Sequence, residues 1–474
     1  MKYFISLILS FVLSISFSQS DIVNLKTMLL SESPIEEDLQ ELTDIIGGRV
    51  TGSEANIRAV EWAMEKFEEA GVAAKKHPFE MPVLWLEKMC KGSAMLDGNV
   101  IDLNIVSKYM SPPGTYSGEL IHLEDLNDPN PEIGNRYVIV EQDLCVDIDG
   151  LFAEYDYATK VELYARNHGA AGVVFMSSRP RKLLYRFLTM EATTNDMPQF
   201  IIAREDASRI IRLLMDGHHV TFNATIDAVT GDSFISHNVV AEIPGTTKRD
   251  EVIIIGAHID SWALGTGAND NGCNVAMMID IARQLQKLGI RPKRTIRLAL
   301  WNGEEQGYFG SWAYTRDYDM DKHKLAISID IGSGGIIGFF TNGRQELVKQ
   351  VDDLLGPVND LGPFNQLNIP IVGTDNFDFM LEGVPNLVGI HKPQVYGPNY
   401  HASSDTYDKV DLKQLKMNSA IVGAVILGYA NSDYNLPRHN RNEIEKMIHD
   451  TNLELSMRMF NVWDPWVSGE RGRK

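Results

Sequence analysis

Cysteine is scarce in this chain, with three residues among 474: Cys90, Cys145 and Cys273. They show no CxxC spacing, the pattern of many thiol-based metal and redox sites. An odd count also rules out complete pairing within the chain, so a scaffold held together entirely by disulfides is excluded. A bridge between Cys90 and Cys145 remains open. Cys273 is predicted to pack as a small apolar residue beside the loop of Asp270.

Basic residues are in the minority. The 44 Lys and Arg against 64 Asp and Glu give a formal net charge of −20 at pH 7. Nucleic acids and anionic membrane surfaces attract positively charged proteins, so this balance argues against both as partners. The plain interpretation is a soluble, acidic, globular protein. Because 474 residues are too many for one simple core, we expect two domains or one domain with an insertion.

Long apolar runs are absent from the sequence except at the N terminus. There, Lys2 precedes an apolar stretch over residues 4–17, and Ser16-Phe17-Ser18 has the small-x-small pattern of a cleavage site. The stretch is short for a membrane span, which needs about 20 apolar residues. We therefore predict a signal peptide over residues 1–18, cleaved before Gln19, rather than an uncleaved anchor. The protein is then secreted or periplasmic, with no membrane span after cleavage.

Internal repeats and low-complexity tracts are also absent from the sequence. Between about residues 91 and 232, short strand-like runs alternate with clusters of Pro, Gly, Asn and Asp, and no set of ligand residues stands out. We predict an inserted domain there. The residues after 437 are charged and helical, and we expect them to dock on the body or on a partner subunit. The predicted divisions are a signal peptide (1–18), a catalytic domain (19–90 and 233–437), the inserted domain (91–232) and a C-terminal tail (438–474).

The most informative stretch of the chain runs from residue 252 to residue 305. Residues 252–257 form a continuous apolar run, typical of a strand buried on both faces, and end at His258. Residues 295–301 predict a second such strand, followed by Glu304 and Glu305. Ligands of open α/β sheets collect beyond the carboxyl ends of the strands, so we predict an active site there. Further predicted strands are 239–242, 326–331 and 386–391.

Acids and histidines recur at the predicted strand ends and adjoining loops. Taken singly, each has a simpler structural explanation: a lone His is more often a hydrogen-bonded structural residue, an Asp in a Gly-rich loop a turn former, and a Glu pair a solvated helix start. Six such positions at one edge of the same sheet favour a metal site instead. They are His258, Asp270, Glu304, Glu305, Asp330 and His401.

These residue types suit hydrolysis by two zinc ions. Zinc takes His nitrogen and carboxylate oxygen, and a catalytic site leaves one position open for water. Two metals about 3.5–4 Å apart need a bridging ligand, which a carboxylate can be and a His cannot. A further carboxylate must stay off the metals to take the proton from water, and the adjacent Glu304 and Glu305 could divide these tasks. Asp260 is predicted to orient the ring of His258.

Five motifs, in this order and spacing, resemble the di-zinc aminopeptidase and carboxypeptidase family (peptidase clan MH), and within it the carboxypeptidase Q-like dipeptidases. They are H-I-D-S-W (258–262), A-N-D-N-G (268–272), N-G-E-E-Q-G (302–307), S-I-D (328–330) and Y-H-A-S-S-D-T (400–406). The resemblance covers residues 34–437 and includes G-R-V-T-G-S at 48–53. It implies an α/β fold with a mixed, mostly parallel sheet flanked by helices. The inserted α+β region resembles a protease-associated domain, through residues 169–175 especially.

The resemblance also implies a role for each site residue. One zinc is held by His258 and Asp330, the other by Glu305 and His401, with Asp270 bridging both. Glu304 is the general base for the bridging water and then the proton donor to the leaving amine. Tyr400 matches a tyrosine that in some relatives polarises the scissile carbonyl. The implied activity is a secreted zinc exopeptidase, an aminopeptidase or dipeptidase of short peptides, and its relatives are often homodimers.

One position departs from the family pattern, and two alternative functions share the scaffold. The family usually has Asp-Asp where this chain has Asp270-Asn271, and the peptide bond between them is typically cis in relatives. One alternative is a glutaminyl cyclase, which performs acyl transfer at a single zinc. The insert and the complete two-metal set argue against this alternative. A non-catalytic, receptor-like ectodomain keeps the fold but loses ligands, whereas this chain retains all five ligand positions.

Overall fold

The computed structural model describes residues 20–129, 132–146, 148–187, 196–392 and 396–474. The predicted signal peptide, residues 1–18, lies outside these described residues. The strands are β1 (Ala73–Met81), β2 (Leu84–Leu96), β3 (Asn99–Leu103), β4 (Ile105–Ser107), β5 (Gly114–His122), β6 (Tyr137–Val140), β7 (Gly172–Met176), β8 (Gln199–Ile202), β9 (Val220–Gly231), β10 (Phe234–Ile243), β11 (Lys248–His258), β12 (Arg294–Trp301), β13 (His323–Ser328), β14 (Ile336–Phe340) and β15 (Asn386–His391). The helices are α1 (a helix that includes residues 20–29), α2 (Ile35–Gln40), α3 (Glu54–Glu69), α4 (Ile148–Asn167), α5 (Arg204–Met215), α6 (Cys273–Lys287), α7 (Phe309–Asp317), α8 (Gln345–Leu355), α9 (Asn376–Leu381), α10 (Tyr396–Asn399), α11 (Leu412–Asn431), α12 (Arg441–Asp450), α13 (Leu453–Met459) and α14 (Trp463–Ser468).

A seven-stranded sheet runs in the order β1-β10-β12-β11-β13-β15-β14. Its central strands β12, β11, β13 and β15 pair in parallel. The strands outside them, β10 and β1 on one side and β14 on the other, pair antiparallel. The predicted mixed α/β fold with flanking helices is confirmed, and the parallel strands occupy the centre of the sheet.

The position of β11 between two cores explains why its sequence is apolar without interruption. Ile253 and Ile255 belong to a core that includes helices α3, α6 and α11. Val252 and Ile254 belong to a second core, with α7 and α9. Successive side chains of a strand point to opposite faces of the sheet. Because helices cover both faces, every side chain of this run is removed from water, which favours apolar residues throughout.

A second sheet has eight strands in the order β3-β2-β9-β5-β6-β7-β8-β4. Helix α4 contributes to the core on one face and α5 to the core on the other. The sheet draws its strands from residues 84–231, which nearly coincide with the predicted insert at 91–232. The separate, protease-associated domain itself stays a prediction.

The C-terminal tail packs on the body of the protein, one of the two arrangements expected. Apolar residues of α12, α13 and α14, among them Ile444, Met457 and Trp466, share a core with Phe377 and Met380 of α9. Beyond α14, the buried guanidinium of Arg471 donates to both carboxylate oxygens of Asp378, at 2.7 and 2.9 Å. The tail is therefore fixed to the seven-stranded sheet and its helices.

The structure bears on the predictions for the cysteines and for membrane spans. Cys90 is a free thiol on β2, so the structure contains no Cys90–Cys145 bridge. Cys273 is buried in an apolar core at the start of α6, as predicted. Of the helices in the described part of the chain, none combines the length and apolar character needed to cross a bilayer.

Candidate active site

The parallel strands bring the predicted site residues to one edge of the seven-stranded sheet. β12, β11 and β13 are parallel neighbours, so their carboxyl ends meet at that edge. The strand ends supply four residues and two loops supply the rest: His258, Glu304, Glu305 and Asp330 from the strand ends, and Asp270 and His401 from the loops. All six side chains are buried.

Asp270 stands between the two histidines. Its Oδ1 is 3.1 Å from His258 Nε2, and its Oδ2 is 3.2 Å from His401 Nε2. His258 Nε2 is also 2.9 Å from Asp330 Oδ1, and His401 Nε2 is 2.9 Å from Glu305 Oε2. The residues thus form two groups that share Asp270, and the ligand atoms of each group lie within 4.8 Å of one another.

The donor set of each group fits a divalent cation such as zinc. Each group offers one imidazole nitrogen and two carboxylate oxygens, which are ligands that zinc takes in proteins. Moreover, Glu305 Oε1 is buried and has no hydrogen-bond partner among the described residues. An uncompensated buried carboxylate is costly, and a coordinated cation would offset that cost.

Burial and mutual repulsion dominate the electrostatics of the site. Burial raises the pKa of Glu305 to about 7. Attraction from His401 lowers this pKa, and repulsion from Asp270 raises it further. The pKa of Glu304 is raised well above its usual range by burial, and Asp330 adds to this. For His401, burial lowers the pKa, but attraction by Glu305 and Asp270 outweighs it and raises the pKa to about 9. Buried acidic groups close together, with shifted pKa values, are typical of functional sites.

Asp260 lies next to the His258 ring and also contacts the glutamate pair. The ring of His258 is oriented by the backbone carbonyl of Asp260, 3.0 Å from Nδ1, while the nearer carboxylate oxygen is 3.8 Å away. The carboxylate instead accepts hydrogen bonds from the backbone N–H groups of Glu304 and Glu305, at 3.3 and 3.2 Å, and from the Thr51 hydroxyl, at 3.1 Å. Asp260 therefore positions the glutamate pair through its side chain and the histidine through its backbone.

Tyr400 lies beside the histidine that follows it. Its ring stacks on His401, with centroids 3.6 Å apart and planes at 22°. Its hydroxyl is 3.4 Å from that of Tyr155 on α4. Burial raises the pKa of Tyr400 well above its usual range, so the phenol keeps its proton at neutral pH and can act as a donor.

Comparison with known proteins agrees with this geometry. Residues 238–426, which contain all six predicted residues, match the profile of Peptidase family M28. This segment, the M28 domain, is thus similar to that family. Carboxypeptidase Q from Mus musculus is 25% identical over 431 residues, which cover 88% of this chain and 90% of that protein. The family resemblance predicted from the motifs is confirmed.

Solved structures share the fold of the M28 domain. A peptidase M28 precursor from Shewanella amazonensis is 26% identical, with a TM-score of 0.82 over 90% of this chain and 99% of that one. A zinc aminopeptidase from Bacillus subtilis is 17% identical, with a TM-score of 0.66 over 83% of this chain and 94% of its own. At that lower identity, the similarity concerns the fold.

The unusual Asn271 has a specific partner in the M28 domain. The peptide bond between Asp270 and Asn271 is cis. The Asn271 amide donates to the backbone carbonyl of Ile329 at 2.9 Å and accepts from Asn274 at 2.6 Å. An ionised Asp has no proton to donate, so the amide provides a link to the residue before Asp330 that a carboxylate could not.

Two residues that support the site were not singled out from the sequence, although both lie in quoted motifs. Asp405 accepts hydrogen bonds from the backbone N–H groups of Asn269 and Asp270, at 2.8 and 3.0 Å, and so holds the turn that carries Asp270. The fully buried guanidinium of Arg49 donates to four backbone carbonyls, those of Gly47, Ile259, Thr266 and Gly267, at 3.0, 2.8, 2.6 and 2.9 Å respectively.

A third residue, Asp375, lies in none of the sequence motifs and was not predicted. Its carboxylate is buried, and neither oxygen has a hydrogen-bond partner among the described residues. Burial raises its pKa well above the usual range, against attraction from His258. The residue before it, Thr374, lines the cavity of the site. Asp375 therefore adds a protonatable group close to the predicted ligands.

The site opens into a small cavity of about 160 Å³ with mostly apolar walls. Its lining includes the four predicted acids and His401. Helix α4 of the second sheet contributes Leu151, Phe152 and Tyr155, and the C-terminal tail contributes Phe460. The cavity therefore lies where the M28 domain, the second sheet and the tail meet.

Proposed function

We propose that the chain is a zinc-dependent exopeptidase that cleaves dipeptides or short peptides with a free amino terminus. The observation that carries the proposal is the pair of buried ligand groups that share Asp270. The relatives support the same class of activity, since one is named carboxypeptidase Q and another a zinc aminopeptidase. Secretion, from the predicted signal peptide, and a homodimer, from the resemblance, belong to the proposal.

Five residues would hold two zinc ions. His258 and Asp330 belong to one group, Glu305 and His401 to the other, and Asp270 offers one oxygen to each. When bound, zinc polarises a carbonyl and lowers the pKa of water, which is the chemistry that amide hydrolysis needs.

The residues around the metals would carry out the proton transfers. Glu304 is not a member of either ligand group, so its carboxylate is available to take a proton from the attacking water and return it to the leaving amine. Asp260 fixes the backbone of Glu304 by accepting its N–H. Tyr400 lines the cavity, and its hydroxyl would be the donor for the oxyanion that forms from the scissile carbonyl.

The size and walls of the cavity favour a chain end over the middle of a chain. A volume of about 160 Å³ is close to the ~150 Å³ that holds one benzene molecule, so it accommodates one side chain rather than an extended peptide. Helix α4 and the tail supply part of the lining and so restrict the space for an extended chain. The carboxylates of the site also suit an ammonium group, which a blocked amino terminus lacks.

Metal analysis combined with a peptide panel tests the proposal. We expect the purified protein to contain zinc, to hydrolyse unblocked dipeptides, to lose activity on chelation and to regain it when zinc is restored. Cyclisation of N-terminal glutaminyl peptides without dipeptide hydrolysis would support the cyclase alternative. Zinc-loaded protein without turnover of either substrate would support the receptor-like ectodomain.

A further inference from the structure

We propose that Arg179, in the loop after β7 of the second sheet, is a positioning residue for His401, and that the second sheet therefore completes one of the two ligand groups. This inference rests on the proposed function, because it concerns a residue that would hold zinc. It assigns to the second sheet a role in metal binding.

The ring of His401 lacks a support that the ring of His258 has. Nδ1 of His258 is held by the Asp260 carbonyl at 3.0 Å, whereas Nδ1 of His401 is buried and has no hydrogen-bond partner among the described residues. Metal-binding histidines are usually oriented by a hydrogen bond at the nitrogen that does not face the metal. The direction of the His401 ring therefore depends on its backbone and on two rings packed against it, those of Tyr400 and Trp262.

The backbone of His401 has a left-handed conformation. Its φ is +55°, which is uncommon for a residue other than glycine. Such a conformation costs free energy and persists where the surrounding contacts determine it. The contacts that hold this turn therefore also determine where the imidazole points.

The loop after β7, residues 177–187, pairs with this turn along the backbone. The N–H of Arg186 donates to the His401 carbonyl at 3.1 Å, and the N–H of Ser403 donates to the Leu184 carbonyl at 2.9 Å. The two hydrogen bonds flank a short antiparallel bridge. The path of the chain on both sides of residue 402 is thus fixed from the second sheet.

Arg179 holds the peptide group that leads into His401. Its fully buried guanidinium donates through Nε and Nη2 to the Tyr400 carbonyl, at 3.4 and 3.3 Å. That carbonyl and the nitrogen of His401 belong to one rigid peptide plane, so holding the oxygen restricts φ of His401. The guanidinium is itself anchored, because Nη1 donates to the Glu154 carboxylate on α4 at 2.9 Å and the group lies 4.2 Å from the ring centroid of Tyr185.

Zinc affinity, measured by competition with a chromogenic chelator, tests this role. Arg179→Met keeps the length of the side chain but removes its donors, so one of the two zinc ions should bind about 10–100-fold more weakly, the usual effect of losing a group that orients a ligand. In a His401→Ala background the same substitution should cause no further loss, because Arg179 acts through the imidazole. Arg179→Lys should recover part of the affinity, since an ammonium can still donate to the Tyr400 carbonyl.

Arg204→Met is the matched control. The half-buried guanidinium of Arg204 donates to the carbonyls of Gln142 at 2.5 Å and Ser177 at 3.4 Å. It therefore supports the start of the same loop, but its donors are directed to these carbonyls rather than to the turn of His401. This variant should bind both zinc ions as the wild type does.

Hydrogen exchange of the zinc-free protein provides a readout that is independent of metal and turnover. The amide of Ser403 should exchange faster in Arg179→Met than in the wild type, while the amides of β11 stay protected and show that the variant is folded. If Arg179→Met does not fold, Arg179→Lys supplies both measurements, with smaller effects in the same direction.

Two outcomes would overturn the inference: an Arg179→Met variant that binds zinc like the wild type, or an equal loss of affinity when the substitution is made in His401→Ala. The proposed function can fail separately. A wild type that binds two zinc ions without hydrolysing dipeptides would overturn that function, and the zinc affinities would still decide the role of Arg179.

Discussion

Among single residues, the proposed two-metal site depends most on Asp270, whose two oxygens face different histidines. If it bridges two zinc ions, Asp270→Ala should deplete both sites, whereas His401→Ala should weaken mainly one. Metal analysis of the purified variants by mass spectrometry measures this directly. Two zinc ions per chain in Asp270→Ala would show that the shared carboxylate does not bridge.

The adjacent glutamates provide a second residue-scale prediction. Glu304→Gln keeps the shape of the side chain but cannot take a proton, so turnover should fall by a factor on the order of 10²–10⁴ while zinc content stays nearly constant. Glu305→Gln should lose zinc instead. If zinc is lost from the first variant and retained in the second, the two roles are exchanged.

The buried Lys108 predicts a pH dependence of stability away from the site. Its Nζ lies over the rings of Phe187 and Phe175, 4.4 and 4.8 Å from their centroids, and burial lowers its pKa from 10.5 to about 8. Above pH 8 the folded protein releases this proton, while the unfolded chain keeps it until about pH 10.5. Folding should therefore gain stability as pH rises through this window, by up to about 3 kcal/mol.

Urea unfolding at pH 8 and pH 10 measures the Lys108 effect. Lys108→Met should remove this gain, and the exposed Lys160→Met on α4 should retain it. A wild type whose pH dependence matches that of Lys108→Met would contradict the assignment of the gain to Lys108.

At the scale of elements, Arg49 holds the loop that leads from β11 to the Asp270 turn. Arg49→Met would leave four backbone carbonyls without their donor, and we expect a loss of about 3–5 kcal/mol in the free energy of unfolding. The exposed Arg316→Met is the control and should cost less than about 0.5 kcal/mol. Chemical denaturation gives both values, and a loss below about 1 kcal/mol in Arg49→Met would refute the role.

Strand positions were the most predictable elements, because continuous apolar runs are required where both faces of a sheet are covered. The runs at 252–257 and 295–301 fall within β11 and β12. The predicted strand at 326–331 extends beyond β13, which ends at Ser328. The next residue, Ile329, lies in the loop but is buried, and its N–H donates to the carbonyl of Gly256. An apolar run indicates which residues are buried, and residues can stay buried beyond the end of a strand.

The fine contacts of the site could not be predicted from spacing. Asp260 lies two residues from His258, and nothing in that spacing determines whether its carboxylate or its carbonyl faces the ring. The turn directs the carboxylate to the backbone of Glu304 and Glu305 instead. Such choices depend on loop geometry, which the residue types alone do not specify.

At the scale of the whole molecule, the cavity depends on contacts between distant parts of the chain. Phe460 meets Phe152 and Tyr155 across the interface of the tail and the second sheet. Motifs and periodicity predicted the site residues and an inserted domain over residues 91–232, but they contain no information on which surfaces dock. The docking explains how the predicted metal site at the edge of a sheet becomes a walled pocket, which the proposed function assigns to one end of a peptide.

A comparison of Leu-Ala with N-acetyl-Leu-Ala as substrates of the zinc-loaded protein tests whether cleavage requires a free amino terminus. An exopeptidase that binds a free ammonium group among its carboxylates should cleave the first, and acetylation should lower kcat/KM by about two orders of magnitude. Comparable rates on the two substrates, or internal cuts in a denatured protein, would contradict the proposed exopeptidase activity.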